Sequence, residues 1–486
     1  MSYLELLKLA SPEAVVVVTA LVVLAVGLTK SNSATICSFL AATGLAIAAG
    51  AVLMLPAHAN LFGGMLVISP LNSLFKIICL ALAFVTAPLM PSEKSLRNPG
   101  EYLAMLLLAT VGLLLLVGSE ELLMIFIGLE LLGLSLYVMA AFDKTDVRSA
   151  EAGLKYFLFG STASAFTLFG ISLVYGMSGS TALASIAQKL SPGGVPPLLA
   201  AGIVMTLIGF AFKIAAAPFH LWAPDAYQGA PIPSAAFIAS GSKVASFVVL
   251  GKIVLVGFGP VVGSSAWHAM MAGWSPVLAA LSALSILLGN FVALAQTNVR
   301  RLLAYSAVAH GGYTLLGIVA GGREGFSATL FYTTIYAITL VGAFAVVGLV
   351  KSETGGDDLQ NFAGLGSRSP LAAACMSIFM LSLAGLPPLA GFFGKFYLFS
   401  VAFGAGGNHG LLWLVIVALF GSFVSLYYYL IVLRAIFVDQ PSDSRHSSPV
   451  TRHWVGDVTI AALAAAVLLL GLLPQTLAER ILASLP

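Results

Sequence analysis

Apolar runs long enough to cross a bilayer follow one another along almost the whole chain, and they decide what it can fold into. About 20 apolar residues wound as a helix span the hydrocarbon core. Windows of that kind lie near 14–29, 34–55, 71–90, 102–118, 121–141, 151–177, 197–222, 232–258, 272–296, 301–320, 325–350, 370–403, 411–438 and 457–480. In lipid every backbone N–H and C=O must be satisfied within the protein, which the helix achieves alone. Charged residues make up only 8% of the chain, against about 25% in a soluble domain. The expectation is an all-α polytopic membrane protein of about fourteen transmembrane helices.

The loops suggest an orientation. Odd-numbered connections carry Lys30, Lys94, Arg97, Lys144, Arg148, Arg300, Arg301, Lys351, Arg368, Arg445 and Arg452, whereas even-numbered ones carry Lys189 and Arg323. Positive charge favours the cytoplasmic side. Both termini then lie on the opposite face, the periplasmic one in a bacterial inner membrane. The N-terminal segment has acids before its apolar run and no small-residue cleavage site, so it reads as a retained first helix.

Several functions find no support in the residues. Cys37, Cys79 and Cys375 lie apart in apolar segments, with neither disulfide nor cluster spacing. No Gly-rich strand-to-helix turn, metal-ligand spacing or nucleophile–base pair is evident. A net charge of +3 without a basic run gives no sign of nucleic-acid binding. The long connections near 91–100, 178–196, 351–369 and 439–456 are polar or Gly/Pro/Ser-rich.

Chemistry is therefore sought among the charges left inside the apolar windows. These are Lys76, Lys155, Lys213, Lys243, Lys252, Lys395 and Arg434, with Glu130 as the central acid. An ionisable group at the centre of a membrane helix costs roughly 2.5–3.5 kcal/mol on insertion scales. Lys76, Lys252 and Arg434 lie toward helix ends, where snorkelling or structural pairing suffices. Lys155 follows Glu151 by four residues, so an interfacial ion pair competes with a functional role. Glu130, Lys213, Lys243 and Lys395 are central and stand beside small residues or helix breaks. A Glu–Lys contact at ~4 Å is worth about 4 kcal/mol at an effective dielectric of 20. Moving one proton against ~200 mV needs about 4.6 kcal/mol. A movable carboxylate–lysine contact is thus large enough to drive a proton step.

Two windows are interrupted by proline. In GFAFKIAAAPFHLWAP, 209–224, Lys213 precedes Pro218 and His220; in LSLAGLPPLAGFFGKF, 381–396, Pro387 and Pro388 precede Lys395. Proline removes a donor and breaks the helix. The interrupted helices are the seventh and twelfth. A shift of five reverses membrane direction, as in inverted repeats that each carry one discontinuous helix. The units would be 1–100 (helices one to three), 101–260 (helices four to eight), 261–403 (helix nine to the start of thirteen) and 404–486. For His220 and His310 two readings stand side by side: a hydrogen bond between helices, or a relay group with an unperturbed pKa near 6.5.

These stretches resemble a known family. GLELLGLSLYVMAAF around Glu130, FKIAAAPFHLWAPDAYQGAPIPSAAFIASGSKVA around Lys213 and Lys243, RRLLAYSAVAHGGYTLLG around His310 and LAGLPPLAGFFGKFYLF around Lys395 are similar to the antiporter-like membrane subunits of respiratory complex I, the proton-pumping NADH:quinone oxidoreductase. Within the family the chain resembles the fourteen-helix type with lysine in helix twelve. A second type carries a lateral amphipathic helix, and subunit M has an acid in place of that lysine. Related cation/proton antiporter and membrane-hydrogenase subunits share the motifs.

The resemblance implies roles. Glu130 would pair with Lys213, Lys243 would connect toward Lys395 as exit-side donor, and His220, His310 and Lys155 would belong to the same relay. It also implies no flavin, iron–sulfur cluster, quinone or metal in this chain. The implied partners are other complex I membrane subunits, among them M and small ones such as K, together with lipid, protons and internal water.

Overall fold

The computed structural model describes residues 3–29, 34–93, 96–190, 195–405, 409–440 and 454–485. Lys30, Lys94, Arg445 and Arg452, used above for orientation, lie outside them. The first helices are α1 (Tyr3–Leu9), α2 (Ser11–Thr29), α3 (Ala34–Leu53) and α4 (Pro70–Thr86). Between α3 and α4 a small antiparallel hairpin forms from β1 (Ala59–Leu61) and β2 (Leu66–Ile68). Next come α5 (Pro99–Gly118), α6 (Leu122–Ala140), α7 (Val147–Ser178) and the short α8 (Leu183–Lys189). The interrupted region holds α9 (Pro197–Lys213), α10 (Trp222–Gly229), α11 (Ile232–Ala239) and α12 (Gly241–Lys252). Then follow α13 (Trp274–Leu294), α14 (Val299–Ala320), α15 (Gly322–Thr354), the one-turn α16 (Leu365–Arg368), α17 (Pro370–Ala384), α18 (Ala390–Gly404), α19 (Leu412–Phe437), α20 (Trp454–Leu472) and α21 (Gln475–Ser484).

Among the described residues, 11 helices are long and apolar enough to cross a membrane, or 12 when the pair bent by 79° near the C-terminus counts as one. Three shorter apolar helices, α9, α17 and α18, stand where the seventh and twelfth windows were expected to break. Their interruptions fall where proline stops the helix: α9 ends at Lys213, and α17 ends at Gly385, whose φ of 86° needs no Cβ. The bonds Ala217–Pro218 and Pro387–Pro388 are both cis.

Three features differ from the sequence expectation. The eighth window breaks at Ser240, between α11 and α12, where ψ of −85° leaves the helical region. It then ends in a π-helical turn, Ile253–Gly257. The last window bends at Pro474, between α20 and α21. Lys213 and Lys395 keep the order read in the sequence, Lys213 before its break at the end of α9 and Lys395 after its break inside α18.

Burial is graded from the periphery inward. The α14 span and the α11–α12 span are each 94% buried, whereas α2 is 28% buried and faces outward. The connections sort onto two faces. On one, Ile232 N–H donates to Glu93, Arg300 pairs with Asp357 at 2.5 Å, and Arg301 pairs with Asp225 at 2.6 Å. On the other, bridges join Leu66 to Ser119 and Glu121 to Ala182, Trp267 N–H donates to the Gly410 carbonyl, and Arg323 donates to the Leu482 and Leu485 carbonyls. Among the described residues, connections three, seven, nine and eleven are linked on the first face, and even-numbered ones on the second.

Candidate functional site: a buried line of lysines and histidine

Helix α14 is the spine of the site. Its sequence alternates small residues (Ala304, Ala307, Ala309, Gly311, Gly312) with Tyr305, Ser306, His310, Tyr313 and Thr314, and nearly all of it is buried. Small residues let the interrupted segments approach its backbone closely. A Cβ at Gly311 would lie 3.3 Å from the Ile214 carbonyl oxygen, inside the first break.

Lys213 closes α9 and is 5% exposed. Its ammonium stands 6.0 Å above the Tyr156 ring, a cation–π distance. Tyr156 in turn stacks on Trp222, whose indole N–H donates to the Phe212 carbonyl at 3.1 Å. That indole satisfies a carbonyl at the end of α9. Lys213 lines one pocket with Glu130, Ser164, Thr167 and Tyr137. Glu130 is partly exposed and accepts a 2.5 Å hydrogen bond from the Ser164 hydroxyl. No salt bridge joins Glu130 and Lys213 among the described residues. The structure brings the expected partners to the same pocket, with Ser164 in direct contact with the acid.

His220 lies in the first break, buried, with its ring 6.3 Å from Tyr305 and its Nδ1 without a hydrogen-bond partner among the described residues. Lys243 sits in the first turn of α12, donates to the Ala307 carbonyl at 2.5 Å and stands 5.5 Å above the Tyr336 ring. Lys395 donates to the Ala384 carbonyl at the end of α17 and to the Ser422 hydroxyl, both at 3.0 Å, and stands 5.2 Å above Tyr313.

His310 occupies the space between those two lysines. Its ring stacks on Tyr336, beneath Lys243, and meets Tyr313, beneath Lys395, edge-on. Its Nδ1 is hydrogen-bonded to the Tyr332 hydroxyl at 2.6 Å and its Nε2 to the Tyr429 hydroxyl at 2.9 Å. The Tyr429 hydroxyl also contacts Ser306 Oγ at 2.5 Å. A neutral imidazole with both nitrogens bonded must donate through one and accept through the other. Exchanging the tautomers moves a proton from one side of the ring to the other.

Lys155 lies apart from this line. It bridges Glu151 at 2.7 Å and Asp225 at 2.6 Å, with 39% of its side chain exposed. Arg301 bridges the same Asp225 and donates to Gln228. The network ties α7, α10 and α14 at the odd-connection end. Of the charges read as structural, Lys76 pairs with Glu13 at 2.6 Å and Lys252 caps the end of α5, both deeply buried, whereas the Arg434 side chain is 71% exposed beside Asp439.

Sequence reasoning did not single out Tyr156, Tyr313, Tyr332, Tyr336, Tyr429, Ser164 or Asp225. Two signals were present. Tyr332 and Tyr336 are four apart on one helix face, and Asp225 is an acid one turn beyond a break. Among the described residues no group of three His, Cys, Asp or Glu side chains converges as metal ligands would.

The chain is similar to known proteins. A family model described as NADH:quinone oxidoreductase/Mrp antiporter, TM, matches residues 119–425, which include every residue of the line. NADH-quinone oxidoreductase subunit N 2 of Acidobacterium capsulatum is 45% identical, with 98% of each chain covered. Subunit N of Moorella thermoacetica is 42% identical over 84% of this chain and 83% of that protein. In solved structures, a chain of respiratory complex I from Thermus thermophilus with bound Aureothin superposes with a TM-score of 0.81 at 32% identity, covering 97% of this chain and 100% of that one. A chain of the Mrp complex from Dietzia superposes with a TM-score of 0.85 at 23% identity, covering 99% and 97%, and shares the fold. Matched over more than half its length, line of lysines included, this chain belongs to the NADH:quinone oxidoreductase/Mrp antiporter transmembrane family.

Proposed function

We propose that this chain is the subunit N component of a bacterial NADH:quinone oxidoreductase, moving protons through its interior while quinone is reduced elsewhere in the complex. The observation that carries this is the buried sequence Lys213, Lys243, His310 and Lys395, arranged around α14 in a chain 45% identical to a curated subunit N. Each cation there has a carbonyl, hydroxyl or aromatic ring as neighbour. A proton can leave such a group without breaking a close ion pair.

In this reading Glu130 sets the charge state of Lys213 across their shared pocket. Lys243 exchanges protons with His310, and His310 with Lys395. His220, with its buried Nδ1 unpartnered, and the buried, unpartnered hydroxyls of Tyr156, Tyr227 and Tyr336 are the atoms to which internal water would bond, because buried polar groups seek partners. Lys155 steadies the odd-connection mouth through Asp225. The fourteen-helix count follows when α9 with α10, and α17 with α18, are each read as one broken span, and 101–260 and 261–403 are the inverted repeats. The chain holds no redox centre, metal or quinone of its own. Its neighbours are antiporter-like subunit M and small subunits such as K, and its termini face the periplasm.

The test is Lys213→Ala or Lys395→Ala in the assembled complex, reconstituted in vesicles. Proton uptake driven by NADH should fall severely while the subunits still copurify. Full pumping in either variant removes that lysine from the relay. Purification of the native chain without flavin and iron–sulfur subunits would point instead to a related cation/proton antiporter.

A further inference from the structure

A second buried charged cluster lies outside the line described above, under the even-connection face. Lys252, 4% exposed at the end of α12, donates to Asn72 Oδ1 at 2.5 Å, to the Val117 carbonyl at 2.8 Å and to the Ser119 carbonyl at 3.5 Å. Its ammonium is 3.8 Å from Glu120 Oε1, whose side chain is 43% exposed. Lys76 reaches the same turn, since a Cβ at Gly118 would lie 3.4 Å from its Nζ. Lys76 is held by Glu13 at 2.6 Å, and the second oxygen of Glu13 is buried without a partner. The β1–β2 hairpin roofs the cluster: Leu66 bridges to Ser119, and Asn72 donates to the Val67 carbonyl at 2.7 Å.

A single lysine capping a helix end is ordinary, because the carbonyls and the helix dipole attract a cation. Two lysines on one turn, one of them beside a half-exposed carboxylate, exceed what capping needs. Helix α12 links this cluster to the relay. It is a 12-residue helix with Lys243 just inside one end and Lys252 at the other. The two are nine residues apart, about 13.5 Å along the axis. Irregular backbone flanks both ends, the break at Ser240 and the π turn at Ile253–Gly257, and π turns often mark functional positions. Against α12 runs α15, with Lys243 over Tyr336 and Gly251 against Phe326. In the turns between those contacts lie the buried hydroxyls of Ser246, Thr333 and Thr334, each donating to a carbonyl of its own helix, and near the Phe326 end the buried Ser327 hydroxyl has no hydrogen-bond partner among the described residues.

We infer that Lys252 and Glu120 form a second proton outlet, through which Lys243 discharges to the even-connection face along α12. The inference rests on the proton-translocating reading of the chain. The Lys252 ammonium first passes a proton across the 3.8 Å gap to the Glu120 carboxylate, and the carboxylic acid releases it to bulk water. The neutral Lys252 amine then takes the proton of the Lys243 ammonium through hydroxyls and water, and Lys243 is reprotonated from the relay, which returns every group to its starting state.

Complex carrying Lys252→Arg or Glu120→Gln, reconstituted in vesicles, is compared with the native complex and with Lys395→Ala for NADH-driven proton uptake. Arginine keeps the charge but does not release its proton, and glutamine keeps the shape of Glu120 without its acidity. Both variants should assemble normally and pump about twofold more slowly or worse. Native pumping in either variant overturns the outlet. Should Lys252→Arg fail to assemble, the half-exposed Glu120→Gln decides alone. If the native complex does not pump, the proton-translocating reading itself fails, and if Lys395→Ala pumps normally, Lys395 leaves the relay, both outcomes distinct from loss of the outlet alone.

Discussion

At the scale of single residues, the intramembrane cations meet three different fates. Lys213, Lys243 and Lys395 stand over tyrosine rings in the interior, Lys76 and Lys252 are locked to partners, and Lys155 and Arg434 reach the surface. Burial makes the locked pairs unforgiving. Glu13→Ala leaves Lys76 buried without its carboxylate, a loss of about 3–5 kcal/mol. It should appear as a drop in assembled complex, and Glu13→Leu combined with Lys76→Met should restore assembly. The His310 contacts are subtler. Tyr429→Phe removes one hydroxyl from Nε2 and from Ser306 while keeping the ring. We expect normal assembly and proton uptake slowed by about tenfold, equivalent to roughly 1.4 kcal/mol. Unchanged uptake would show that His310 needs no hydroxyl on that side.

At the scale of elements, interruptions do more than bend helices. Helix ends inside the protein leave free carbonyls, and these find different donors: at the α17–α18 break Ala384 accepts from Lys395, at the α9 end Phe212 accepts from the Trp222 indole, and at the α5 end Val117 accepts from Lys252. The α17–α18 break closes tightly, with Gly391 N–H donating to Ser382 Oγ at 3.1 Å. A Cβ at Gly391 would collide with the Ser382 carbonyl oxygen. Gly391→Ala should therefore force the break apart and cost about 1–3 kcal/mol. Its signature would be a lowered thermal midpoint of the complex together with reduced pumping, since the same break carries Lys395.

At the scale of the whole molecule, two faces and one buried core organise everything else. The sorting of odd and even connections onto opposite faces makes orientation measurable. Lys144→Cys on the odd face and Lys189→Cys on the even face are both exposed positions, and the three native cysteines are buried, so background labelling is low. A membrane-impermeant thiol reagent added to intact cells should label position 189 and spare 144. The reverse pattern would invert the topology. Much of this scale was legible in advance. Span lengths, the two proline breaks and the separation of basic loops follow from hydropathy and from proline's missing donor, which act locally. The break at Ser240 was hidden because no proline stands at it, only small residues ahead of Lys243, and the hairpin between α3 and α4 because six paired residues leave a weak pattern.

By itself, the sequence determined that the chain spans a membrane many times, which charges fall within its apolar windows, and where two helices must break. These follow from transfer energies and backbone donors, properties of each segment alone. Only the tertiary structure decided which of those charges act together. Lys243 and Lys395 are 152 positions apart, yet His310 and its tyrosines fill the space between them. Lys76 and Lys252 looked like helix-end residues and proved to converge on one buried turn. Which side of a helix meets which neighbour depends on packing among all the helices at once, and no single segment carries that information.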